Sequence, residues 1–149
     1  MQSPLFSRPA HLINRASRLF LRVGDSRLQA FGVSSGQLPV LIALQDGKAV
    51  SQKELTARVK IKQPTMAQTL SRMERDGLIQ RQPDPDDRRG SLISLCPEAA
   101  EKMDAIVETL LWGNEQALAG FEETEKTILI ALLRRLINNL EAMAARQAD

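Results

Sequence analysis

The sequence predicts a mainly α-helical fold with one small β-hairpin, in which long helices flank a compact central lobe. Three observations predict it. Two short amphipathic helical patterns, SQKELTARVK and PTMAQTLSRMER, are separated by a few residues only. The segment QPDPDDRRG, full of turn formers, divides two short apolar runs, LI and SLISL. Both ends of the chain carry apolar residues at three- and four-residue spacings sustained over many turns.

Taken in order, the residues up to Pro9 contain two prolines and read as a loose arm. From Ala10 to about Phe31, Leu12, Ala16, Leu19, Phe20 and Val23 keep helical spacing, with Arg15, Arg18 and Arg22 on another face and Gly24 as a soft point. Ser34 and Gln37 form a capping-box pattern ahead of a second helix through Leu38, Leu41, Ile42 and Leu44, which is apolar enough to be buried. Pro39 lies near its first turn, and Asp46 and Gly47 end it.

Ser51 and Glu54 make another capping box, and the helix behind them, with Leu55 and Val59 on one face, ends near Lys60. Pro64 is tolerated best in the first turn of the next helix, where its missing N–H is not needed. In that helix Met66, Leu70 and Met73 form a buried stripe, leaving Gln63, Thr65, Gln68, Ser71, Arg72 and Arg75 to water or a partner. Gly77 stops it, and Leu78 and Ile79 open a strand. The chain then turns through the basic tip and returns as SLISL, with Leu92 expected inward and Leu95 a further candidate for that face. Two helices joined by a tight turn and followed by such a hairpin make a winged helix-turn-helix.

The stretch LTARVKIKQPTMAQTLSRMERDGLI together with DPDDRRGSLISL resembles the MarR family of bacterial transcription regulators, nearest its SlyA-like branch. The family's wing signature, Asp-x-Arg followed by five residues and then Leu-Thr, is matched by Asp87, Arg89 and Leu95. Cys96 stands where the family usually has Thr. The close match covers about a third of the chain, and the flanking helices agree with the family in length and order. The resemblance implies a homodimer held by the terminal helices, with a small aromatic or phenolic anion as effector.

After the wing, Cys96-Pro97-Glu98 is a helix start, and Met103, Ile106, Val107, Leu110, Leu111 and Leu118 continue it toward Phe121 as one long helix. Gly113 is its weak point and Gly120 its stop. Thr124 caps a last helix whose stripe, Ile128, Leu129, Leu132, Leu133, Leu136, Ile137, Leu140 and Met143, is broader than one neighbour needs. Such a stripe fits either a monomer core or a second copy; with the resemblance, Leu12, Ile13, Leu129, Leu133, Leu136 and Leu140 become the expected dimer contacts. The organisation expected is one domain over residues 1–149, with a DNA-reading lobe at 33–96 and dimerisation helices at 10–31 and 97–146.

With 149 residues, 43% of them hydrophobic, the chain can bury one core. No apolar run reaches the roughly 18 to 20 residues of a membrane span, and no signal peptide is visible, so the expectation is a cytoplasmic protein that does not enter the membrane. A single Cys excludes an internal disulfide and a thiolate zinc site, and a single His excludes most imidazole metal sites. No nucleophile-base pair is visible, so neither an enzyme nor a cofactor is expected. The net charge of +2 is unevenly spread. Residues 1–47 hold 5 basic and 2 acidic side chains, 48–96 hold 10 and 6, and 97–149 hold 5 and 10. A basic centre suits a phosphate backbone, while the acidic end should face away from it or pair with the first helix.

These features favour a dimeric, sequence-specific DNA-binding regulator, expected to repress, whose partners are double-stranded DNA and a second copy of itself. In a major-groove dock Gln63 and Gln68 would pair with adenine edges and Arg72 with guanine. Ser51, Lys62, Thr65 and Arg75 would hold phosphates, with Pro64, Ser71 and Arg88 completing the surface. Arg89 would enter the minor groove, its guanidinium steadied by Asp87, as the family's motif implies. Arg72 and Arg75 could instead pair with Asp76 or Glu74. For the effector, the candidates are Arg15 and Arg18 as anion partners and Phe20, Leu38 and Trp112 as apolar walls, although the two arginines could equally pair with the acidic C-terminal helices. Cys96, at a helix start, is either an oxidisable thiolate or, the preferred reading, a small buried substitute for the capping Thr. The competing function is a winged-helix module that binds protein and not DNA.

Overall fold

Among the residues described by the computed structural model, 4–148, four of seven α-helices carry a proline in their first two positions. There the missing N–H leaves no helix hydrogen bond unmade. These helices are α1 (Pro9–Leu28), α2 (Leu38–Ala43), α4 (Gln63–Arg75) and α5 (Pro97–Glu101). The others are α3 (Gln52–Val59), α6 (Met103–Ala117) and α7 (Glu123–Ala148). Three short strands, β1 (Val50–Ser51), β2 (Ile79–Pro83) and β3 (Ser91–Leu95), form an antiparallel sheet in the order β1-β3-β2. The chain divides into two compact units, residues 1–113 and 114–149.

In the first unit, α1 ends in a 3-10 turn, Gln29–Phe31, and Gly32 takes a left-handed φ of 70° to reverse the chain. The helix runs through Gly24, whose missing side chain has a use. A Cβ there would stand 3.3 Å from Ser35 Oγ. Beside it, Asp25 Oδ1 accepts the Ser35 N–H at 2.7 Å. The Ser35 hydroxyl, then its N–H, hold the Asp25 carboxyl below the usual carboxylate range. Gln37 Oε1 accepts the Ser34 N–H at 2.9 Å, so half of the expected capping box forms, but as a turn ahead of α2. Within α2, Leu38, Val40 and Leu41 are buried, whereas Ile42, expected inside, is exposed because Val40 occupies the inward position.

Ser51 caps α3 as expected, its hydroxyl accepting the Glu54 N–H at 3.2 Å. The Glu54 carboxylate turns to Arg58 instead of closing the box, and Arg58 also donates to the Ala43 carbonyl at 3.2 Å. Lys60 ends the helix at φ 56° and Gly77 ends α4 at φ 72°. In the sheet, Ile93 pairs with Val50 on one side and Arg81 on the other, and Ile79 pairs with Leu95. Ile93 and Leu95 are the buried residues of β3, and Leu92, expected inward, lies on the opposite side and is half-buried. The enclosed core joins Leu28, Leu41, Leu44, Leu55, Met66, Leu70, Met73, Ile79, Ile93 and Ile106.

The single helix expected from Pro97 onward is interrupted at Lys102, whose N–H bonds the Ala99 carbonyl three residues back at 3.2 Å. The buried stripe of Ala99, Met103 and Ile106 continues across the tightened turn. Helix α6 continues through Gly113 without a break. In the second unit Gly120 turns the chain at φ 83°. Helix α7 starts one residue before the expected cap Thr124, and Glu125 Oε2 accepts the Glu122 N–H at 2.9 Å. None of the described helices is long and apolar enough to cross a membrane.

Cys96 occupies the N-cap of α5 and makes no capping bond through its sulfur. Burial first, then the Glu98 and Glu74 carboxylates, push its thiol up from the ordinary value of 9.0. The raised thiol favours the preferred reading, a small residue in place of Thr, over an oxidisable thiolate. A helix of 5 residues has little field to offer, and two acids oppose it.

Two outcomes follow from this packing. Leu70→Ala should destabilise the fold by about 2–5 kcal/mol, because Leu70 is fully enclosed and its removal leaves a cavity; urea unfolding would measure it. A raised thiol pKa means that the folded state retains a proton which the unfolded chain gives up. Stability should thus be undiminished below pH 9.0 and fall as pH rises through the elevated folded value. Cys96→Ala should flatten that alkaline limb; an identical decline in the variant would remove Cys96 as its cause.

Candidate nucleic-acid interface

The rotation of α4 is set by its apolar stripe. With Met66, Leu70 and Met73 buried, at 3.6 residues per turn Gln68 and Arg75 point within about 20° of directly away from the core, and Ser71 and Arg72 flank them at about 50°. Gln68, Ser71, Arg72 and Arg75 are all exposed, as are Pro64 and Thr65 in the first turn and Lys62 at the N-cap. Gln63 falls on the flank nearer the core. Its Oε1 accepts from Gln52 Nε2 at 3.4 Å, which ties the start of α4 to the start of α3. Ser51 is half-buried and its oxygen serves α3, but its hydroxyl proton can still be donated outward.

Arg72 and Arg75 differ in their surroundings. Arg72 lines an open cleft of about 540 Å³ with Asp25, Ser26, Gln29, Gly32, Val33, Ser34, Gln37 and Asp76, at the corner between α1 and α2. Arg75 donates from Nε to Asp76 Oδ1 at 3.1 Å and remains largely exposed. At its other oxygen Asp76 receives Gln37 Nε2 at 3.4 Å. Arg81, which the sequence did not single out, bonds Glu74 at 3.0 Å and reaches Ser91 Oγ at 3.5 Å, so it braces α4 against the hairpin.

At the wing tip the acids hold backbone. Asp84 Oδ1 accepts the Asp86 N–H at 2.9 Å, and Asp87 Oδ1 accepts the Arg89 N–H at 3.0 Å. The expectation that Asp87 steadies the Arg89 guanidinium is corrected in that respect: the carboxylate grips the peptide and fixes the loop, and the Arg88 and Arg89 side chains extend into solvent. Gly90 suits this turn, since a Cβ there would stand 3.1 Å from Asp87 Oδ2 and press on the Asp87 side chain. The signal was in the sequence, as Asp followed by two residues and Gly is a turn pattern.

The residues suggested for an effector lie outside the cleft beside Arg72. Leu38 is enclosed in the core, Arg15, Arg18 and Phe20 are exposed on α1, and none of the five lines the cleft beside Arg72. The Trp112 ring is covered by the Arg27 guanidinium, 3.3 Å from its centre. That stack was missed because nothing in the spacing relates the end of α1 to α6. Of the suggested dimer contacts, Leu12, Ile13, Leu133 and Leu140 are exposed, while Leu129 and Leu136 are half-buried. No group of three or more His, Cys, Asp or Glu among the described residues is placed to hold a metal.

This arrangement has relatives. The MarR family model matches residues 31–90, from the end of α1 to the wing tip. An uncharacterised helix-turn-helix transcriptional regulator of Bacillus subtilis, YwoH, is 32% identical over 127 residues, covering 85% of this chain and 92% of the relative. The transcriptional repressor NicR of Pseudomonas putida is 27% identical over 131 residues, 88% of this chain and 83% of its own. Among solved structures, the PcaV regulator of Streptomyces coelicolor in complex with its natural ligand superposes with a TM-score of 0.79 at 27% identity, covering 93% of this chain and 97% of that one. With an exposed polar face on α4, a basic wing and these matches along most of its length, the chain belongs to the MarR family of DNA-binding transcriptional regulators and is not an enzyme.

Proposed function

We propose that the protein is a homodimeric repressor that reads a pseudo-palindromic operator and is released from it by a small aromatic anion. The observation that carries the reading is the outward face of α4, where Gln68 and Arg75 are aimed away from the core and carry the groups that base edges and phosphates require. Gln68 is the base reader, able to pair bidentately with adenine. Arg72 reads from the flank, and Lys62, Thr65, Ser51 and Arg75 hold the backbone. Gln63 contributes through an amide that also serves Gln52. Arg89 enters the minor groove, where narrow A·T-rich stretches attract guanidinium groups.

The dimer is supported by apolar surface that single helices leave uncovered. Leu12, Ile13, Leu19, Phe20 and Val23 on α1, and Ile128, Leu132, Leu133, Ile137 and Leu140 on α7, all remain exposed. A second copy would bury them, with Leu129 and Leu136 alongside. Residues 33–96 are then the reading lobe, and 10–31 with 97–146 the dimer helices of one domain. A two-fold pair of heads would contact half-sites roughly 34 to 36 Å apart. Repression is supported by the likeness to NicR, and a DNA reader of this kind works in the cytoplasm. The effector reading is supported by the likeness to PcaV and by Trp112, whose stacking partner Arg27 is also a cation for a carboxylate. Arg15, Arg18 and Phe20 supply further charge and apolar surface on α1.

Duplexes selected from a random pool by the protein itself should yield two inverted half-sites. On such a duplex Gln68→Ala should lose about 1–3 kcal/mol of binding and relax base choice at one position in each half. An unchanged ratio of selected to random DNA affinity would remove Gln68 as a base reader. Arg89→Ala should weaken binding at physiological salt with its unfolding curve unaltered.

The effector is tested by titrating salicylate into the protein-duplex complex while following the fluorescence of Trp112, the only tryptophan in the chain. Quenching together with release of DNA is expected. Quenching with no change in duplex affinity would refute the coupling for this class of compound.

A further inference from the structure

We propose that Asp76 governs how strongly the head binds DNA of any sequence, by holding Arg75 away from phosphate. The inference rests on the reading that Arg75 faces the DNA backbone. Asp76 sits at the C-cap of α4, where the helix dipole is negative and a carboxylate is disfavoured. Its position is explained by what its two oxygens hold. One takes the Nε edge of Arg75 at 3.1 Å, and the other takes Gln37 Nε2 at 3.4 Å. Gln37 is held in turn by the Ser34 N–H at 2.9 Å, and the adjoining Ser35 N–H is bonded to Asp25 of α1 at 2.7 Å.

The chain of bonds therefore fixes Asp76 from the α1–α2 corner, and Asp76 fixes Arg75. With its Nε edge engaged, the guanidinium cannot offer that side of its fork to a phosphate, and the carboxylate beside it adds a repulsive charge at the same spot. Both effects fall on a contact that carries no sequence information, and both leave Gln68 untouched. Asp76 is thus a positioning residue that lowers indiscriminate binding and so raises the ratio of operator to random DNA affinity.

The test measures binding to a random-sequence 40-base-pair duplex across a salt series for the wild type, Asp76→Asn, Arg75→Ala and the double variant, with unfolding curves for each. Asp76→Asn keeps an amide oxygen for Gln37 while removing the charge. It should bind about two- to fivefold tighter, in keeping with the loss of one exposed pair. Its salt slope should steepen by up to about 1 as Arg75 takes a full phosphate contact. In the Arg75→Ala background the gain should vanish. A gain of equal size in that background would mean general repulsion and would overturn the proposal, as would unchanged or weaker binding by Asp76→Asn. Should Arg75→Ala itself leave affinity intact, the phosphate-facing assignment of Arg75 fails first, and the proposal with it. Asp76→Ser provides a second uncharged variant if the Asn form unfolds.

Discussion

Burial of three side chains, Met66, Leu70 and Met73, determines what this protein can present to a nucleic acid. Each is fully enclosed, and together they fix the rotation of α4 about its own axis. A helix that turned by one residue would swing every side chain by about 100° and bring polar groups into a core that, among the described residues, contains none. The outward polar face is therefore a consequence of the apolar one. Helix α3 and strands β2 and β3 supply the other walls, through Leu55, Ile79, Ile93 and Leu95. Loss of packing there would blur the aim of Gln68 before it abolished the fold.

Charge in the head follows a second logic. A surface meant for phosphates would be expected to avoid acids, yet residues 82–90 contain three aspartates. Asp84 and Asp87 spend their oxygens on the peptide N–H groups of Asp86 and Arg89, shaping the turn that pushes Arg88 and Arg89 outward. Glu74 is occupied by Arg81 at the foot of the hairpin. Most acids near the reading face are thus committed to geometry, and the cations are left to determine the field.

Features that obey local rules were legible in the sequence. Ser51 announces the start of α3, Pro64 the first turn of α4, and Gly77 its stop, because a cap, a missing N–H and a positive φ each depend on a few neighbouring residues. The stripe of α4 was legible too, since a run of 13 residues samples the helical period several times. The phase of β3 was not. A five-residue strand with Leu92, Ile93 and Leu95 in sequence gives two plausible faces, and Val50 and Arg81, remote in sequence, decide between them. For the same reason β1, of two residues, left no signal. The contacts Gln37–Asp76 and Arg27–Trp112 join segments 39 and more residues apart, and no pattern within either segment marks them.

The two kinds of contact also differ in strength, which bears on how such a head could respond to a ligand. Each enclosed leucine contributes a few kcal/mol, whereas the Asp25–Ser35 and Gln37–Asp76 bonds at the α1–α2 corner are exposed, and a hydrogen bond of that kind is worth roughly 0.5–1.5 kcal/mol. A small change in ligand affinity between two arrangements would therefore be met at the corner and not in the core, since about 1.4 kcal/mol of difference is enough for a tenfold shift. Asp25 strengthens its side of the corner by staying ionised below the usual carboxylate range. The Gln37 side, longer at 3.4 Å and ending on the residue that holds Arg75, is the softer one. Any strain that opened it would reach Arg75 through Asp76 with the core of the head unchanged.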